Sequence, residues 1–222
     1  MNKVKYEQRL SALSTSEVSD ALDACGVKGG LLNLNSLQSG TQLIGPAYTV
    51  KYALYEKKPT SFKNAANYID TVPPHAVIVI DNQGRKECTT WGDILTQVAL
   101  QKGIAGTVVH GAIRDAQCIR AANYPVFCSA IYMCSGKNRV YKSAEQCPLV
   151  INDITINPGD IIFGDDDGVL VIPLLLIDEV LHKAENINQT EKKIIAAVRA
   201  GLSLEQARTD YRYDQPWLNE DK

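Results

Sequence analysis

The chain alternates between two hydrophobic periods, and their order predicts the architecture. Ser14-x-x-Glu17 has the form of a capping box, so a helix is predicted over about 15–25, ended near Gly26. Val18, Ala21, Leu22 and Cys25 fall on one of its faces. Residues 27–42 have the character of loop and turn. Residues 44–55 predict a long strand, because Tyr48, Val50, Tyr52 and Leu54 alternate with smaller or polar neighbours. Residues 65–70 predict a short helix stopped by Pro73-Pro74. Then comes a β/α run: strand 76–81 (AVIVID), helix 93–102 closed by Gly103, strand 105–110 (AGTVVH), helix 115–122 and a third strand opening at 125–128. Strand, helix, strand in short succession predicts parallel pairing with right-handed crossovers. Residues 147–172 read as all-β, with turns at 157–159 and at 165–168. A long helix is predicted over about 174–200 and a short one over 203–208. The polar tail after it carries three large aromatics and could strap onto the body or onto a neighbouring subunit.

The expected class is α/β, with a central βαβαβ unit and a long C-terminal helix, in one domain over 1–222. Composition adds few constraints. At 222 residues, 45% hydrophobic and 22% charged, the chain can bury a substantial core and is neither mainly disordered nor collagen-like. The net charge of -2 leaves no basic field, so no nucleic-acid partner is expected. The longest apolar stretch, Val169–Ile177, contains Pro173 and falls short of the ~20 residues of a membrane span. MNKVKYEQRL has no apolar region of the signal-peptide kind, so a cytoplasmic chain away from membranes is expected. The six cysteines form no C-x-x-C pair, as expected of reduced thiols. Three histidines without H-x-x-x-H spacing argue against a zinc site, so carboxylates would have to hold any metal.

Ligands of open α/β sheets bind beyond the carboxyl ends of the parallel strands. Two segments belong there, each opening a helix: Trp91-Gly92-Asp93-Ile94-Leu95 and Gly111-Ala112-Ile113-Arg114-Asp115. Gly92 lets backbone come close, and the amides of a helix start can hold a carboxylate. Arg114 offers a planar, permanently charged fork for a carboxylate or an enolate oxygen. Asp93 and Asp115 offer hard oxygen ligands for Mg²⁺ or Mn²⁺. A 2-oxo acid with a divalent ion would satisfy this set. The alternative is purely structural: both aspartates could favour their helix N-termini, and Arg114 could pair with either.

G-D-I-L at 92–95, G-x-x-R-D at 111–115, Y-P-V-F at 124–127 and N-P-G-D-I-I-F-G-D-D-D-G-V-L-V-I-P at 157–173 resemble the RraA-like family. That family includes class II 4-hydroxy-4-methyl-2-oxoglutarate aldolases, which also decarboxylate oxaloacetate. The likeness runs over about 14–200, leaving 201–222 as an extension. It implies a swivelling β/β/α-type fold, a homotrimer or a hexamer of two trimers, and active sites near subunit boundaries. It implies that Asp115 binds Mg²⁺ or Mn²⁺ mostly alongside waters, and that Arg114 binds the pyruvoyl part and stabilises the enolate. Backbone amides of Gly92, Asp93, Ile94 and Leu95 would hold the substrate carboxylate, and Asp93 would anchor a metal-bound water.

The family's enzymes also use a glutamate from the C-terminal region of an adjacent subunit. Ile177, Leu181, Ala184, Ile187, Ile194, Ile195 and Val198 form an apolar stripe on the long helix, with Glu191 inside it. A carboxylate there is costly unless paired or functional, and Glu191 is assigned to that role. The alternatives are a rotated stripe or a pair with Lys192 of another chain. The Asp165–Asp167 run reads as a tight turn, and Asp20 as a solvated or capping residue. The chain departs from the family at His110, at Cys128-Ser129 and throughout 129–146, which leaves room for a different oxo-acid substrate. The competing function is that of the family's non-catalytic regulators, which bind an RNase or another protein. Those tend to lack the aspartate after the arginine, whereas Arg114-Asp115 is intact here.

Overall fold

Both hydrophobic periods become regular structure in the computed structural model, which describes residues 3–57 and 66–218. The helices are α1 (Lys3–Leu10), α2 (Thr15–Ala24), α3 (Asp93–Lys102), α4 (Ala116–Ala121), α5 (Ile177–Arg199) and α6 (Leu204–Asp210). The strands begin with β1 (Gly30–Leu31), β2 (Asn35–Ser36), β3 (Leu43–Leu54), β4 (Val77–Asp81), β5 (Thr89–Trp91) and β6 (Gly106–Ile113). They continue with β7 (Val126–Ile131), β8 (Val140–Glu145), β9 (Leu149–Ile151), β10 (Ile154–Ile156), β11 (Ile161–Asp165) and β12 (Gly168–Ile172). The fold is mixed α/β, with a large mixed sheet and a long C-terminal helix. By backbone proximity the chain divides into two compact units, Gly30–Leu174 and Met1–Gly29 with Leu175–Lys222.

In the sheet unit, β3, β4, β6 and β7 lie side by side and parallel. The connections β4–α3–β6 and β6–α4–β7 are the expected βαβαβ core. Antiparallel strands extend it: β11, β12 and β1 beyond β3, with β8 along the far half of β3 and β2 beyond β7. Successive residues of a strand face opposite sides. Here both sides are buried. Tyr48, Val50, Ile78, Ile80 and Val109 join Ala99 of α3 and Ile119 of α4. Ala47, Val77, Val79, Val108 and Phe127 join Leu149, Ile151 and Ile156 of the β9–β10 hairpin. Burial on both faces is why 76–80 (AVIVI) is an unbroken apolar run and why Val108-Val109 do not alternate with exposed polar residues.

The structure corrects several expected boundaries. β6 continues through Gly111-Ala112-Ile113, so only Arg114-Asp115 connect it to α4. Its pairing with β7 shifts register between Val109 and Ala112. At that shift Gly111 has φ +154, and a Cβ there would stand 3.0 Å from the Arg85 carbonyl oxygen, so glycine is required. Residues 27–42 contain two short strands, β1 and β2. The short helix expected over 65–70 is a 3₁₀ turn at Asn67–Thr71, and Ala65 lies outside the described residues. The Asp165–Asp167 turn forms as expected, with Asp165 Oδ1 accepting from the Asp167 amide at 3.0 Å.

In the helical unit the capping box is complete. The Glu17 amide donates to Ser14 Oγ at 3.3 Å, and the Ser14 amide donates to Glu17 Oε2 at 2.7 Å. α1, α2 and α6 pack on α5. Arg9 grips Glu185 on α5 with two bonds of 2.6 and 2.7 Å. The tail straps back onto the same helix: Lys183 Nζ stands 4.8 Å from the Trp217 ring centroid. Residues 219–222 lie outside the described residues. α5 buries Ile177, Val180, Leu181, Ala184, Ile187, Thr190 and Ile194. Ile195 and Val198, expected in that stripe, are 50% and 39% exposed. Neighbours on a helix point about 100° apart, so Ile194 and Ile195 cannot share one narrow face.

Candidate active site

Two turns meet at the carboxyl end of β6. β5 runs parallel to β6 and sets Trp91 beside Ile113. One chain segment turns at Gly92 into α3, and the other at Arg114-Asp115 into α4. Backbone and side chain stitch the turns together. The Arg114 amide donates to the Trp91 carbonyl at 3.1 Å, and the Asp93 amide donates to Asp115 Oδ2 at 3.1 Å. A Cβ on Gly92 would stand 2.7 Å from Asp115 Oδ2 and 3.2 Å from Arg114 Cγ, so the close approach requires glycine.

Asp115 carries the strain of this junction. Its backbone is left-handed, at φ 57 and ψ 32, a conformation that costs a non-glycine residue on the order of 1–3 kcal/mol. Its side chain does not cap α4, the helix it precedes; it reaches across to the first amide of α3. Arg114 Nε stands 3.4 Å from the same Oδ2. The ion pair and one helix-start contact of the structural alternative are therefore present. Yet the Arg114 and Asp115 side chains remain 40% and 39% exposed. The Asp93 carboxylate turns along its own helix, with Oδ1 accepting from the Gln97 side-chain Nε2 at 3.0 Å. The first i→i−4 bond of α3 runs from the Thr96 amide to Gly92. The amides of Ile94 and Leu95 precede it and belong to the helix's open donor end. Ile94 is 76% exposed.

Gly92, Asp93, Ile94, Leu95, Arg114 and Asp115 all line one pocket of about 470 Å³. Trp91 is its fixed floor. The indole donates to Thr96 Oγ1 at 3.0 Å and stacks on Tyr124 with centroids 6.0 Å apart. The rest of the lining includes Tyr52, Ile69, Asp70, Ser135-Gly136-Lys137 and Val140, none of them among the residues that the sequence singles out for the site. The segment before β8 is sewn to β5, since the Thr89 amide donates to the Cys134 carbonyl at 3.0 Å and the Gly136 amide to the Thr89 carbonyl at 2.9 Å. Lys137 thus joins Arg114 as a cationic residue of the lining. No periodic pattern in the sequence marks these residues; the departure from the family over 129–146 is the only signal of that wall.

Glu191 belongs to the helical unit, beside Glu17 and Asp20. Burial, with help from those two carboxylates, raises its pKa above the ordinary value. His110 stays out of the pocket lining and pairs with buried Asp81, Nδ1 to Oδ1 at 2.9 Å. Among the described residues no three His, Cys, Asp or Glu side chains cluster as a metal cage. The carboxylates in the pocket lining are those of exposed Asp115, half-buried Asp93 and, on the wall, exposed Asp70; the first two stand at the helix starts beside Arg114. That pair fits a magnesium-type ion, which keeps several waters and takes one or two protein carboxylates. All six cysteines are free thiols, and no helix among the described residues is long and apolar enough to cross a membrane.

Residues 15–171 match the RraA-like family, described as Aldolase/RraA. The chain is 61% identical over 215 residues to protein DlpA of Legionella pneumophila, covering 97% of this chain but 35% of DlpA. It therefore spans about a third of that relative's length. It is 35% identical over 189 residues to a Halalkalibacterium halodurans protein named "Putative 4-hydroxy-4-methyl-2-oxoglutarate aldolase", covering 82% of this chain and 83% of that one. The crystal structure of an uncharacterized protein from Pseudomonas syringae pv. tomato superimposes with a TM-score of 0.88 at 44% identity, over 93% of this chain and 94% of that one.

Proposed function

We propose that this chain, which belongs to the RraA-like family, is a carbon–carbon lyase that releases pyruvate as its enolate from a small 2-oxo acid. The reaction is aldol cleavage of a 4-hydroxy-4-methyl-2-oxoglutarate-type substrate, decarboxylation of oxaloacetate, or both. The observation that carries the reading is the strained Asp115, whose carboxylate is presented to the pocket beside the Arg114 guanidinium instead of capping its own helix.

Arg114 binds the pyruvoyl oxygens and holds the negative charge that develops on the enolate oxygen. The open amides of Ile94 and Leu95, in the Gly92–Leu95 turn at the start of α3, receive the substrate carboxylate. Asp115, with Asp93 through water, would hold a divalent ion such as Mg²⁺ or Mn²⁺. When bound, such an ion supplies Lewis-acid stabilisation of the enolate. Trp91 keeps the pocket floor rigid and excludes water from that side. Glu191 serves the pocket of a neighbouring copy in a homotrimer or hexamer. Its raised pKa suits a group that gives a proton to the enolate carbon.

The test measures pyruvate release from oxaloacetate and from 4-hydroxy-4-methyl-2-oxoglutarate, with Mg²⁺ and with EDTA. Release is expected from at least one substrate, to be lost with EDTA and to fall by roughly 10²-fold or more in Asp115→Ala. Release of equal rate in that variant overturns the assignment.

A further inference from the structure

The bridge between β5 and the pocket wall brings two cysteines into register. Thr89 and Ser135 form a single isolated parallel bridge, made by the two hydrogen bonds of 3.0 and 2.9 Å on either side of it. One step back on each segment stand Cys88 and Cys134. Bridged strands lie ~4.8 Å apart, and the bond from the Thr89 amide to the Cys134 carbonyl carries that spacing to the two residues beside the bridge. A disulfide needs Cα atoms about 4.4–6.8 Å apart, so the register suits one. No other cysteine pair shares such a step. Cys128 is opposite Val109 and Asn35, Cys118 lies on α4, Cys147 sits by Thr49, whose hydroxyl donates to its carbonyl, and Cys25 belongs to the helical unit.

The two thiols differ in access. Cys88 is 1% exposed, with Sγ 3.9 Å from Asn82 Nδ2, and burial pushes its thiol up. Cys134 is half-buried, in the segment that runs directly into the lining residues Ser135, Gly136 and Lys137. An oxidant meets Cys134 first, and Cys88 waits behind it as the resolving thiol.

We propose that Cys88 and Cys134 form a reversible redox pair, closed by a peroxide into a disulfide that fastens the Ser135–Lys137 wall of the pocket to β5. The Cys134 thiolate attacks the O–O bond of hydrogen peroxide, giving a sulfenic acid and hydroxide, which takes up the proton from the thiol to become water. The Cys88 sulfur then attacks the sulfenic sulfur, and the S–S bond forms as a second water leaves. Overall, two thiols are oxidised and one peroxide is reduced to two waters. A dithiol reductant reverses the closure by exchange. The effect on turnover rests on the lyase reading above; the disulfide and the fastening of the wall do not.

The test uses the full chain treated with hydrogen peroxide, with free thiols then blocked. Peptide mapping by mass spectrometry is expected to find Cys88 linked to Cys134, and dithiothreitol to release it. Limited trypsin cleavage after Lys137 and Arg139 is expected to slow by roughly tenfold in the oxidised protein, since the segment can no longer open locally. Cys134→Ser is expected to lose both effects while its reduced form is cut at the wild-type rate. Two results overturn the pair. One is Cys134 over-oxidised or joined elsewhere while Cys88 stays a thiol. The other is cleavage at an unchanged rate in protein mapped as linked. Absence of pyruvate release from the reduced protein would count against the lyase reading and would leave both readouts intact.

Discussion

Gly92 sets the tolerance of the site at the level of single atoms. Its missing Cβ is the space in which the Asp115 carboxylate meets the Asp93 amide. Alanine would place a carbon 2.7 Å from Asp115 Oδ2, closer than van der Waals contact allows, so the carboxylate must move. Positioning errors of this size cost on the order of 10²-fold in rate. Gly92→Ala is therefore expected to lose about that much kcat/KM for pyruvate release while the far-UV circular dichroism is kept. Wild-type kinetics in a folded variant would show that the approach of these groups does not matter. The residues of this corner were legible in the sequence because glycine, arginine and aspartate at helix starts carry their chemistry in their type. What their type could not reveal was direction. As metal ligands or as charges favouring their own helix starts, Asp115 and Asp93 had no direction in the sequence; Asp115 reaches across to its neighbour's helix, since only the left-handed turn and the stitching to Trp91 decide where it points.

Elements were legible wherever one period ruled. The βαβαβ run appears as expected because doubly buried strands and amphipathic helices leave distinct patterns. The extension of β6 to Ile113 is not legible in the sequence because G-A-I has the character of a turn. Nor is the pocket wall over 132–139, because its position depends on bridge bonds to β5, which leave no local pattern. On α5 the apolar stripe also misled at its end, where Ile195 and Val198 face outward. Glu191 on that helix has a folded-state pKa above its ordinary 4.5. Such a group favours the protonated form in the native state. Its penalty is absent below the ordinary pKa, where native and unfolded chains are both protonated, and grows as pH rises through the raised value. Glu191→Gln removes that penalty. Its melting temperature is expected to exceed the wild type's at about pH 8 and to match it below 4.5. A loss of stability at the higher pH would mean that the native state favours the charge. Higher stability combined with slower turnover is the expected mark of a carboxylate kept for function.

At the scale of the whole molecule, the sheet unit carries Arg114 and Asp115 and the helical unit carries Glu191. If Glu191 completes the site of an adjacent copy, each site draws on two chains, as the heterologous interfaces of cyclic oligomers permit. Asp115→Asn and Glu191→Gln should then each be inactive alone and complement each other when mixed. In an equal mixture of freely exchanging subunits, about one site in four receives Asp115 from one chain and Glu191 from the next, so roughly a quarter of wild-type pyruvate release should return. Recovery should require time for exchange and should fail if the oligomers are crosslinked before mixing. An inactive mixture of two inactive variants would place Glu191 in the same chain's chemistry or in none. Activity of Glu191→Gln by itself would leave the Arg114–Asp115 corner as the whole catalytic apparatus, with the long helix serving only the fold.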